Sequence, residues 1–133
     1  MTNTDHVKSR YPLSALTSAI IAAAQTVHRV LGPGFQELIY QRALAKQLPA
    51  HNLEYEREIP IDIFYRGAKV GRKRVDFIVG NDTGDVLVEI KAKAALEPVD
   101  FVQTLSYLKA SGHRIGLLLN FGGERLEIKR LAN

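Results

Sequence analysis

Apolar and polar positions change rhythm several times along the chain. From Leu13 to Leu31 the apolar residues (Leu13, Leu16, Ile20, Ala23, Ala24, Val27, Val30, Leu31) recur at helical spacing, which predicts a helix. Gly32 stops it and Pro33 prevents its continuation. A second helical set follows the Gly-Pro-Gly break: Phe35, Leu38, Ile39, Ala43, Leu44 and Leu48, closed by Pro49. So tight a connection predicts an angled helix pair. His51 to Glu58 is polar and leads into a strand from Ile59 to Tyr65. Arg66-Gly67-Ala68 turns the chain into a second strand, from about Lys69 through Asp76 to Val79, and Val86 to Lys91 makes a third.

Pro98 and Asp100 suit the first turn of a third helix, whose apolar side is Val99, Phe101, Val102, Leu105 and Leu108 and whose end is Ser111-Gly112. Ile115 to Phe121 is almost continuously apolar, as in a strand buried on both faces. After Gly122-Gly123, alternation from Leu126 to Leu131 predicts a last, edge-like strand. The crossover from the Glu89 strand to the Leu119 strand should be parallel and right-handed. The pattern is that of a mixed α/β (α+β) fold built on a mixed sheet. Residues 1–10 are expected to be a mobile tail, and residues 11–133 one domain without internal repeats.

The stretch Val75 to Lys91 stands out. Its centre, Gly80 to Asp85, is a run of turn formers, so its two arms form an antiparallel hairpin. Folded about that centre, Val79 faces Val86, Phe77 faces Val88, and Asp76 faces Glu89. One face then carries Val75, Phe77, Val79, Val86, Val88 and Ile90, and nothing polar. The other carries Arg74, Asp76, Ile78, Leu87, Glu89 and Lys91. Two opposed carboxylates repel. A divalent cation between them would convert the repulsion into ligation. The plainer alternative is a solvated acid pair bridged by Arg74 and Lys91.

Composition adds limits. The chain has no cysteine, which excludes disulfides, thiolate metal sites and cysteine nucleophiles. The first ten residues lack a secretory pattern, and the longest uncharged apolar stretch, Leu13 to Val27, is too short to span a bilayer, so a cytoplasmic protein with no membrane partner is expected. The net charge of +4 favours an anionic partner, and its distribution sharpens that. Lys69, Arg72, Lys73 and Arg74 lead into Asp76, while Lys91 and Lys93 follow Glu89, so the acids lie in a cationic zone suited to a metal together with a phosphate chain.

The order helix with Glu37, strand with Asp76, strand with Glu89-Ile90-Lys91, helix with Gln103 and Tyr107 resembles the PD-(D/E)XK nuclease superfamily. An acid on the second core strand and (D/E)-X-K on the third are its signature. The i,i+4 pair Gln103 and Tyr107 is similar to the Gln-x-x-x-Tyr of the recombination-exonuclease branch. Gly34-Phe35-Gln36-Glu37-Leu38-Ile39-Tyr40 resembles the motif that names the GxxExxY family, with further likeness at Val27 to Pro33 and Gly116 to Gly122. Val75 stands where the superfamily name has proline.

The resemblance implies a restriction-endonuclease-like core, α-β-β-β-α-β, with an extra N-terminal helix and a C-terminal edge strand. It implies Mg2+- or Mn2+-dependent phosphodiester hydrolysis, on DNA ahead of RNA. Asp76, Glu89, the main-chain carbonyl of Ile90 and Glu37 would hold the metal. Lys91 would position water or phosphate and stabilise charge, since a lysine's ordinary pKa of about 10.4 makes it a poor base. Gln103 would bond near the metal or the phosphate. Tyr107, Arg74, Lys73 and Arg72 would contact substrate. Tyr40 is expected to pack with its hydroxyl tied to a neighbour, and His28 to be structural. Two other readings remain: a nucleic-acid-binding module that does not cut, and an interaction subunit of a repair or defence complex. A homodimer or a partner protein is compatible with so short a chain.

Overall fold

The computed structural model describes residues 13–133. The expected tail at residues 1–10 and the first two residues of the expected domain lie outside the described residues. The elements are α1 (Ser14–Leu31), α2 (Glu37–Gln47), a 3-10 turn (Leu48–His51), β1 (Glu54–Tyr65), β2 (Ala68–Asn81), β3 (Gly84–Lys91), α3 (Pro98–Ser111), β4 (Ile115–Asn120) and β5 (Glu127–Ala132). They form one five-stranded sheet in the order β1-β2-β3-β4-β5. β3 and β4 are parallel and every other pair is antiparallel. This is the mixed α/β architecture of a restriction-endonuclease-like core.

Each face of the sheet has its own core. On one face, Leu16, Ile20, Ala23, Ala24 and Val27 of α1 and Tyr40, Leu44 and Ala45 of α2 meet Phe77, Val79, Val86, Val88 and Ile90. The other face is smaller: Ile61, Val75, Leu87 and Leu108, flanked by Ile59, Ile63, Leu105 and Tyr107, lie together near α3. β4 is buried along its whole length, as its apolar run requires.

Several expectations change. β1 begins at Glu54, five residues before the expected Ile59. It is an edge strand, so polar side chains can stand in water while the backbone pairs from Glu54↔Gly80 onward. Val75 packs with Leu87 and Leu108 rather than with the α1–α2 core. At that point the β1–β2 pairing omits Glu58, whose φ of 52° is left-handed, together with Asp76 and keeps its register; the register shift lies farther out, between Ile63 and Phe64. Phe35, Leu38 and Ile39 are exposed; the buried face of α2 is Tyr40, Gln41, Leu44 and Ala45. Val30, Val99 and Val102 are exposed as well.

Tyr40 anchors the connection between α1 and α2. It is fully buried and stacked on Phe121 with ring centroids 4.9 Å apart. Its hydroxyl donates to the Gly32 carbonyl at 2.6 Å and accepts from the Phe35 amide at 3.1 Å. The loop turns the chain within five residues, 32–36, and Gly34, at φ 110°, holds a conformation that a side chain would strain. Glu37 is thereby set in the first turn of α2. His28 is structural as expected, bonded through Nε2 to the Gly123 carbonyl at 2.9 Å.

Candidate active site at the sheet fork

β2 and β3 pair from Asn81↔Gly84 to Phe77↔Val88, and there the backbone ladder ends. Beyond it the two acids take the place of the missing carbonyl acceptors. The Asp76 amide donates to Glu89 Oε1 at 2.9 Å, and the Ile90 amide donates to Asp76 Oδ2 at 2.7 Å. The strands part, and the carboxylates stitch the fork reciprocally.

This packing has an electrostatic cost. Glu89 is 6% exposed. Burial, and then the Asp76 carboxylate, raise its pKa to about 8, against the Asp76 N–H and Lys91, which lower it. Burial likewise raises Asp76, opposed by the Ile90 N–H, Gln41 and Lys91. Desolvation raises Glu37, with Lys91 opposing and the Asp76 carboxylate adding to the rise. Burial and then the charges of Glu89 and Asp76 raise Tyr107, so this side chain shares the field of the acid pair.

Lys91 donates from Nζ to Gln103 Oε1 at 3.2 Å, joining the end of β3 to α3. Asp76, Glu89, Ile90, Lys91 and Gln103 are thus linked by hydrogen bonds or chain continuity, with Glu37 and Tyr107 within electrostatic reach. Arg72, Lys73 and Arg74 are placed differently, on the ribbon leading away from the fork. Arg72 bonds Asp62 at 2.9 Å, and Arg74 lies 4.0 Å from Glu58.

Sequence reasoning missed three supports: Gln41, Arg57 and Asn120. Gln41, buried on α2, donates to Asp76 Oδ1 at 3.0 Å and accepts from Arg57 of β1 at 2.7 Å. It lies one helical turn after Glu37, a spacing that by itself does not distinguish it from a solvated helix position. The third is Asn120, fully buried at the end of β4. It accepts from the Lys93 amide at 3.0 Å and donates to the Lys93 carbonyl at 2.9 Å and to Glu127 Oε1 at 2.7 Å. The chain after Lys91 is held there, and Gly122 packs so close that a Cβ would overlap the Lys93 backbone. Lys93 in turn bonds Asp100 at 2.9 Å, and Asp100 accepts the Glu97 amide at 2.8 Å at the start of α3. These contacts fix α3, and with it Gln103, relative to β3.

Among the described residues, no group of three or more His, Cys, Asp or Glu side chains is placed to hold a metal ion. A crowded pair of hard carboxylates nevertheless suits Mg2+ or Mn2+, which needs few protein oxygens and keeps several waters. A concavity of about 580 Å3 at the β2–β3 turn is lined by none of the candidate site residues.

An α/β fold with an acid pair and a lysine at a sheet fork is compatible with the superfamily that the sequence order resembles. A family model for the PD-(D/E)XK nuclease superfamily matches residues 14–131, and the chain belongs to that superfamily. A solved chain described as "Crystal structure of SSO0001" is 22% identical with a TM-score of 0.57, over 95% of this chain and 62% of that one. The likeness is one of fold, and this chain spans less than two thirds of the other's length. No curated protein matches the chain. Among the described residues no helix is long and apolar enough to cross a membrane.

Proposed function

We propose that residues 11–133 form a single metal-dependent nuclease domain that hydrolyses phosphodiester bonds, on DNA ahead of RNA, in the cytoplasm. The observation that carries this reading is the fork: two buried carboxylates on neighbouring strands, bonded to each other's backbone, with Lys91 beside them. Asp76, Glu89 and the Ile90 carbonyl would hold Mg2+ or Mn2+, with Glu37 completing the shell directly or through water. A bound divalent cation lowers the pKa of water and neutralises phosphate charge. Lys91, steadied by Gln103, orients the attacking water or the phosphate and offsets developing negative charge. Tyr107 supports the substrate backbone beside the acids. Arg74, Lys73 and Arg72 attract phosphates from the adjoining ribbon. The Tyr40 clamp gives the GxxExxY motif a physical reason and supports assignment to that family, while Gln103 and Tyr107 support kinship with the recombination-exonuclease branch.

The test is cleavage of single- and double-stranded DNA and RNA with Mg2+, Mn2+ or chelator. Asp76→Asn, Glu89→Gln and Lys91→Met should each lower the rate by at least a hundredfold. Undiminished cleavage in those variants would overturn the reading. Salt-dependent binding without cleavage would instead mark a silent binding module. Inactivity together with a co-purifying protein would mark an interaction subunit.

A further inference from the structure

The β1–β2 ribbon outlasts the sheet. β3 leaves β2 at Phe77, yet β1 and β2 stay paired from Ile59↔Val75 to Tyr65↔Ala68. Arg66 and Gly67, at φ 49° and 82°, close it as a two-residue turn of the kind that matches strand twist. The ribbon's base is secured, since Ile59, Ile61 and Ile63 pack near Leu105 and Leu108 of α3. Its tip is not. Phe64, Tyr65 and Val70 are 62%, 63% and 63% exposed.

Charge accompanies this apolar tip. Between residues 63 and 75 lie Arg66, Lys69, Arg72, Lys73 and Arg74, and no acid. Two acids on β1 answer them only in part: Asp62 takes both Lys69 and Arg72, and Glu58 lies 4.0 Å from Arg74. Arg66 lies over the Tyr65 ring, 5.6 Å from its centroid. Phe64 and Tyr65 are successive strand residues, so the tip offers one exposed ring on each face of the ribbon, and such rings beside cations suit a polyanion that carries flat apolar groups. Nucleic acid with unpaired bases is that ligand: its phosphates meet the cations and its open base faces stack on the rings. Duplex DNA satisfies the cations but keeps its base faces stacked inside. From Asp76 to the tip is eight residues along β2, roughly 25 Å at about 3.3 Å per residue, too far for the rings to touch the scissile bond.

We propose that the β1–β2 ribbon is a substrate arm that engages unpaired bases through Phe64 and Tyr65, so that the protein prefers single-stranded or forked nucleic acid to blunt duplex. The inference deepens the nuclease reading and rests on it for the role of the arm, but it is tested by binding alone. Fluorescence anisotropy of the full chain in chelator would compare a labelled single strand, a fork and a blunt duplex. The wild type should favour the first two. The double variant Phe64→Ala/Tyr65→Ala should weaken binding to strand and fork by roughly tenfold or more, with the duplex losing far less. Lys69→Gln should weaken all three and flatten the salt dependence. Circular dichroism melting checks that the variants fold. Wild-type affinity for the fork in the double variant, or equal losses on all three DNAs, would overturn the arm. A change in oligomeric state in place of a change in binding would assign the tip to a protein interface and overturn it too. Selective binding by a protein that cuts nothing would leave the arm standing and remove the nuclease reading.

Discussion

Glu89→Gln should stabilise the metal-free protein in alkali and leave it unchanged in acid. In the native state, burial and then the Asp76 carboxylate raise the Glu89 carboxyl from its ordinary 4.5 to about 8. The unfolded chain releases this proton near pH 4.5, and the native state holds it to about pH 8. Folding is therefore unpenalised below about pH 4.5, and stability falls as pH climbs from there through about 8. The difference, at about 1.36 kcal/mol per pH unit, bounds the loss at about 5 kcal/mol. The two acids titrate as a pair and share this cost, so the loss falls below that bound. Glutamine carries no charge at any pH, and its Oε1 can still accept the Asp76 amide. The gain at pH 9 should be several degrees in melting temperature for a chain of this size. Thermal unfolding of wild type and variant in chelator, at pH 4, 6, 7.5 and 9, measures it. Added Mg2+ should raise the wild-type melting temperature at pH 7.5 to 9 and leave the variant nearly unmoved. Equal melting of the two proteins at pH 9 would refute the argument, because the crowded charge would then cost nothing.

Gln41→Leu removes a hydrogen bond to a charged acceptor, worth about 1.5–3 kcal/mol, and should raise the Mg2+ concentration needed for thermal stabilisation by roughly tenfold. An unchanged metal titration would mean that Gln41 does not orient Asp76. Tyr40→Phe deletes the hydroxyl between Gly32 and Phe35 and should cost about 2 kcal/mol in urea unfolding. A loss below about 0.5 kcal/mol would show that the ring stack on Phe121 suffices to hold the turn.

Most of the architecture was legible because its signals are local. Helical spacing marked α1, glycine and proline marked the loops, and period two marked β2 and β3. The hairpin register followed from symmetry about Gly80 to Asp85, and the observed pairs Phe77↔Val88 and Val79↔Val86 agree with it. What failed depends on partners distant in the chain. The start of β1 was hidden because an edge strand tolerates polar residues on both sides. Phe35, Leu38 and Ile39 looked like core because periodicity reports an apolar stripe without saying what covers it. The acid pair and its lysine were legible through strand alternation. Gln41 and Asn120 were not, because a buried amide carries no pattern of its own and its meaning lies in the groups it bonds, 35 and 27 residues away.

The reciprocal bonds across the fork bear on how loss of function is to be interpreted. Each acid is a ligand candidate and also a rung of the sheet, replacing a backbone acceptor where the strands separate. Truncation to alanine unties the rung as well as removing the charge, so inactivity in such a variant mixes two causes. Amide replacements keep an oxygen where the amides point. For this protein the gentlest disarming is also the most informative, and the same coupling means that mutations discarding the chemistry by truncation loosen the sheet at the same step.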